Sequence, residues 1–277
     1  MTAKAQTVAS TARRASDSPW LDRAARLGFV ARGVVYAIVA LLAIRLAFGH
    51  QNGEQANKQG ALQEIADQPL GAVALVLLAI GLAGYALWRF SEGVFGHRDE
   101  HDDKKRTVKR LASAGRGVVY AAFCASAVAV IVGRSAGNGE QQPKTWTARV
   151  LGWPGGRLLV TVAGVAIVIG GIYLVVQGVT TKFEEKLRTG RMSPATKRVV
   201  VGLGVVGSIG RGVVFSLLGL LLIKAAADYD PNEAQGVDGT LRTIAQQSYG
   251  EIMLGLTALA LFAFAAYSVA EARYRRL

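Results

Sequence analysis

Long apolar runs alternate along the chain with short segments rich in charge. Six runs hold most of the aliphatic residues, at about 27–48, 72–90, 113–132, 158–176, 203–223 and 252–269. Each approaches the roughly 20 residues that a helix needs to cross a bilayer core at about 1.5 Å per residue. Helices of a soluble bundle would carry apolar stripes backed by polar faces. These runs are apolar all round and keep their charges at the ends, which favours membrane spans. The pattern predicts an all-α integral membrane protein with six transmembrane helices.

The runs are not independent. Arg32-Gly33-Val34-Val35-Tyr36, Arg116-Gly117-Val118-Val119-Tyr120 and Arg211-Gly212-Val213-Val214-Phe215 are three copies of one motif, each near the start of an odd-numbered run. From the motif glycine to a glycine opening the next run, the interval is 38, 39 and 38 residues, ending at Gly71, Gly156 and Gly250. Setting those glycines level aligns the even-numbered runs without a gap. Trp88, Tyr173 and Tyr267 then coincide, as do Glu92, Gln177 and Glu271. A unit repeated at such spacing folds as one structural module. The expected architecture is three repeated antiparallel hairpins in a pseudo-threefold arrangement.

The expected boundaries are a flexible tail over 1–19, repeats over 20–98, 110–181 and 199–277, a charged linker over 99–109 and a basic linker over 182–198. Within the hairpins, Gly60-Ala61-Leu62 with Ile65-Ala66 matches Gly239-Thr240-Leu241 with Ile244-Ala245. Their apolar spacing suggests a short helix on the membrane surface, and Trp146, Val150 and Leu151 could form its counterpart in the middle unit. These loops either close the hairpins or form an external binding surface.

Charge then orients the spans. The formal net charge is +13, but the basic residues are unevenly placed: twenty lie in the termini and the second and fourth loops, and eight in the first, third and fifth. The positive-inside rule predicts a multi-pass plasma-membrane protein with cytoplasmic N- and C-termini. No nucleic-acid motif accompanies the charge, so the expected partners are membrane lipids, including anionic headgroups at the cytoplasmic face, with a membrane-protein partner also possible.

The motif opening, the Gly60-Ala61-Leu62 loop and the Gly84-Tyr85-Ala86-Leu87-Trp88-Arg89 stretch resemble the bacterial membrane family catalogued as domain of unknown function 1206. The resemblance runs from about Trp20 to the C-terminus. It implies three repeated two-helix units and no established activity. Gln177 and Phe215 depart from the acid and the tyrosine of the other units.

Arginine inside a span is costly, and three copies call for a role. Arg32 to Glu92, Arg116 to Gln177 and Arg211 to Glu271 span 60, 61 and 60 residues, which brings a guanidinium and an acid or amide to similar depth in every hairpin. One reading makes each arginine a clamp on its own hairpin or the next, through paired hydrogen bonds to a carboxylate. The other gathers the three into a cationic ring for an anion or lipid headgroup. On this alignment Arg116, opposite Gln177, is the unbalanced member. Tyr36 and Tyr120 lie one turn beyond their arginines and could stack on a guanidinium. Gly33, Gly117 and Gly212 sit on ridges of small residues that would let spans of different units approach closely.

Signs of catalysis are sparse. The chain lacks a phosphate-cradling glycine loop, a nucleophile elbow and a Cys-x-x-Cys pair. His97 and His101 have a metal-compatible spacing, but a solvated linker explains them as well. The single cysteine, Cys124, lies within a span and reads as a small hydrophobe. No catalytic residue, cofactor or metal is expected. A non-enzymatic structural or partner- or lipid-binding membrane module is the leading expectation, and permeation of a small solute or ion is the alternative.

Overall fold

The computed structural model describes residues 19–48, 58–67, 69, 71–95, 102–133 and 141–276. Nine α-helices lie within them: α1 (Pro19–Ala47), α2 (Lys58–Ala66), α3 (Gly71–Phe95), α4 (Asp103–Ile131), α5 (Gln141–Leu151), α6 (Gly156–Val179), α7 (Pro194–Ala227), α8 (Val237–Ala245) and α9 (Gly250–Tyr274). Six of them, α1, α3, α4, α6, α7 and α9, are long and apolar enough to cross a membrane. Their outward faces expose large aliphatic side chains such as Leu77, Ile80, Leu158 and Leu256. Water would penalise such a surface; lipid would not. This is a multi-pass membrane protein.

The helices overrun the apolar runs at the end of the bundle where α1 begins and α9 ends. Asp102 caps α4, its carboxylate accepting from the backbone nitrogens of Lys104 and Lys105 at 2.9 and 3.3 Å. Most of the charged segment over 99–109 therefore becomes the first turns of α4. It does not form a separate linker there. Ser193 caps α7 and Pro194 occupies its first turn. The 34 residues of α7 would extend about 51 Å at the α-helical rise, well beyond a hydrocarbon core.

Each unit is a span, a short helix and a returning span, with α2, α5 and α8 as the short helices. Gly71, Gly156 and Gly250 mark the junction where the short helix meets the returning span. A Cβ there would run into the carbonyls of Ile65, Val150 and Ala245 respectively. That shared crowding is why the alignment finds a glycine at all three positions.

Between units, the returning span of one packs on the opening span of the next. Thus α3 packs on α4, α6 on α7, and α9 on α1. These three equivalent interfaces make a pseudo-threefold ring. The motif glycines lie in them: Gly33 faces Ala265 and Val269, Gly117 faces Phe90, and Gly212 faces Gly171 and Val175. Within units, α1 packs on α3 and α7 on α9, but α4 and α6 form no packed interface. The ring therefore has one open seam, inside the middle unit.

The alignment explains the seam. In the first unit, Gly28 receives Tyr85 so closely that a Cβ on Gly28 would collide with the tyrosine's own Cβ. In the third, a Cβ on Gly207 would lie 2.6 Å from the Cα of Phe264. The corresponding residues of the middle unit are Ala112 and Gly170. There the aromatic is missing, its receiving glycine is filled, and a Cβ on Gly170 would meet nothing within 4 Å. Without an interlocking side chain, little dispersion energy holds the two spans together.

Candidate functional site

A cavity of about 480 Å³ lies inside the ring, and its walls carry the three motif arginines, Arg32, Arg116 and Arg211. Arg89, Lys186 and Arg275 also line it, and Glu271 is the one carboxylate in the lining among the described residues. Aromatic side chains complete the wall, among them Tyr36, Tyr85, Tyr120, Tyr173 and Tyr267.

Arg32 is buried and its partners come from two helices. Its Nη2 pairs with Glu271 of α9, its Nε donates to Ser268 Oγ at 3.1 Å, and its Nη1 donates to Tyr85 Oη at 3.3 Å. Glu271 is shared, because its other oxygen pairs with Arg275 one turn further along α9. On α3, Arg89 donates to Tyr85 Oη through Nε and Nη2 at 3.0 and 2.6 Å, and through Nη1 to Glu92 at 2.6 Å. Ser113 of α4 donates to Glu92 at 2.9 Å. Two guanidiniums thus converge on one phenol oxygen, and each acid ties one unit to the next.

This pairing corrects the hairpin arithmetic. Arg32 does not meet Glu92, and Arg211 does not meet Glu271. Because the returning span of one unit packs on the opening span of the next, Arg32 meets the acid of the third unit. Glu92 stays with Arg89 and Ser113 and does not line the cavity. By the same cyclic order Arg211 follows the unit that carries Gln177, so it shares the unbalanced role assigned to Arg116. Neither Arg116 nor Arg211 makes an ion pair among the described residues. Arg211 Nε is buried with no hydrogen-bond partner. Its guanidinium instead packs over Phe264 at 3.9 Å, with Tyr36 at 5.2 Å and Phe215 at 5.8 Å. Arg116 and Gln177, on the two sides of the open seam, both line the cavity.

Three cations of the site escaped the repeat arithmetic. Arg89 and Arg275 have no counterpart in the motif, although Arg89 stands inside an apolar run, a signal that marked it as costly. Lys186 comes from the segment over 182–191, part of the stretch 182–198 that reads in sequence as a basic linker. In the structure that segment folds back on the bundle. Leu187 forms an antiparallel bridge with Arg275, Arg188 N donates to Tyr274 O at 2.7 Å, and Arg276 N donates to Lys186 O at 2.9 Å. Phe183 is buried against Tyr267, with ring centroids 5.3 Å apart. Burial, then the neighbouring Arg275, Arg116 and Arg89, pushes the Lys186 ammonium below the usual lysine range. Its side chain still reaches solvent, so crowding by like charge is the firmer cause.

His97 and His101 lie outside the described residues. Among the described residues no group of three or more His, Cys, Asp or Glu side chains could hold a metal. Cys124 donates weakly to Ala79 O at 3.4 Å, a packing contact between α4 and α3.

The family profile described as Domain of Unknown Function (DUF1206) matches the chain three times, over residues 27–96, 111–181 and 206–275. The chain belongs to this family. The three matches coincide with the three ring units. A relative in Bacillus subtilis (strain 168), the uncharacterized protein YxxB, is 29% identical over 259 residues, covering 94% of this chain and 93% of its own. No solved structure matches.

Proposed function

We propose that this chain is a non-enzymatic plasma-membrane module that binds an anionic group in its central cavity, with both termini in the cytoplasm. One observation carries the reading: among the described residues, six cationic side chains and a single carboxylate line one cavity, and all three repeats contribute their arginine to it. If the arginines served only to clamp the helices, each would be matched by an acid. Here Arg32 is matched, while Arg116 and Arg211 pair with no acid among the described residues. A preorganised set of guanidiniums with low local polarity suits a carboxylate or phosphate far better than a neutral solute. The placement of the termini rests on the excess of basic residues in the segments at their end of the bundle.

The test is anion-specific stabilisation of the purified protein in neutral detergent. Inorganic phosphate should raise Tm above an equal ionic strength of chloride, and Arg116→Ala with Arg211→Ala should remove the difference. Equal Tm in the two salts would overturn the reading. Permeation stands second, favoured by the position of the cavity inside a ring of repeated units. Phosphate or halide flux into vesicles containing the protein alone would put it first.

A further inference from the structure

We propose that the open seam between α4 and α6 is a lateral doorway through which the cavity takes an anionic glycerophospholipid from the bilayer. Its phosphate would lie among the arginines and its acyl chains between the two helices. The inference rests on the anion-binding reading above and adds the route and the class of ligand.

Three features point the same way. First, the ring is closed everywhere except at this seam, and the two helices that flank it are the least buried of the six, with 22% and 17% of their span residues buried against 61% in α1. Second, the cavity wall reaches the seam. Gly115 and Val119 of α4 and Gly170 and Tyr173 of α6 line the cavity, yet Val119 is 53% and Tyr173 55% exposed. A side chain at Gly115 or Gly170 would meet nothing within 4 Å, so the gap is unfilled on both sides. Outward from it, Ile169 and Ile172 offer aliphatic surface. Third, at the end of the bundle where α1 begins and α9 ends, Phe183, Lys186 and the segment bridged to Arg275 stand in the cavity wall and narrow it. A ligand reaching the arginines through the seam crosses an apolar threshold and arrives at a cationic interior. That sequence of surfaces fits an amphiphile, with charge at one end and hydrocarbon at the other. Arg211 Nε, buried without a partner, is the donor that a phosphate oxygen would satisfy.

The experiment uses the full-length protein in neutral detergent. A phosphatidylglycerol with a fluorescent acyl chain and the matching phosphatidylcholine are titrated by anisotropy, and inorganic phosphate is followed by its effect on Tm. Gly170→Tyr restores the aromatic that the first unit carries, and Gly170→Leu is a second way to fill the gap. Both should fold, since tyrosine and leucine each favour a helix more than glycine does and the gap beside Gly170 is empty. Phosphatidylglycerol should bind at least about tenfold more tightly than phosphatidylcholine, and each Gly170 variant should weaken it by about tenfold. Unchanged phosphatidylglycerol binding in both variants would overturn the doorway and leave the anion site standing. A phosphate response with no preference for phosphatidylglycerol would make the ligand a free anion and overturn the lipid assignment. If neither phosphate nor phosphatidylglycerol acts on the wild type, the anion site itself falls.

Discussion

At the scale of single residues, the central distinction is between arginines that are paired and arginines that are available. Glu271 holds both Arg32 and Arg275 in a buried network, so Glu271→Ala strands two charges and should cost about 3–5 kcal/mol, read as a loss of Tm or unfolding free energy in detergent. A double-mutant cycle should give Arg32 and Glu271 a coupling of at least about 1 kcal/mol and Arg32 with Glu92 a smaller one, because those two are linked only through Tyr85 and Arg89. An Arg32–Glu92 coupling as large as that of Arg32 with Glu271 would contradict the cyclic packing. Arg211→Met should be neutral or slightly stabilising, because it removes a buried donor that has no partner and keeps the aliphatic stem. Lys186 supplies a pH signature. Its ammonium is depressed by its neighbours, so between its folded value and the ordinary lysine value the unfolded state binds more protons, and stability rises with pH there. That rise should flatten in Lys186→Met, measured as Tm against pH. Anion binding should weaken over the same interval, as the positive charge is lost.

At the scale of helices, the interlock of one aromatic with one glycine decides which spans stay together. Gly28 and Gly207 receive Tyr85 and Phe264 at distances that leave no room for a methyl group. Gly28→Ala and Gly207→Ala should each destabilise the protein by about 1–3 kcal/mol through overpacking. Gly170→Ala, on a helix with open space beside it, should stabilise by up to about 1 kcal/mol through helix propensity alone. Thermal unfolding of the three variants separates the two effects, and equal responses would remove the explanation offered for the seam. The signal for this interlock was present in the ungapped alignment that places Tyr85, Gly170 and Phe264 level. It was not legible there, because a tyrosine, a glycine and a phenylalanine in one column have no meaning until a partner helix is placed opposite them.

At the scale of the whole molecule, orientation and ring order are the quantities to test. Cysteines placed at Gln55, Gln141 and Gln235 should react with an impermeant maleimide added to intact cells, while those at Lys105 and Arg191 should react only after lysis. Labelling at Lys105 in intact cells would invert the proposed topology. The sequence by itself determined the six spans, the three units and the position of each arginine along its span. Apolar length, repeat spacing and residue position along a helix are properties of one chain read in one dimension. Tertiary structure decided which acid meets which arginine. Helices joined by a short loop need not be the closest partners, and α9 returns to α1 across the ring. It also decided that the basic segment over 182–191 becomes part of the cavity wall, through backbone bonds to a C-terminus some 90 residues away that no local pattern announces. The open seam belongs to the same class: a missing contact is written in a sequence only as a glycine, and its consequence exists only when two helices are set side by side.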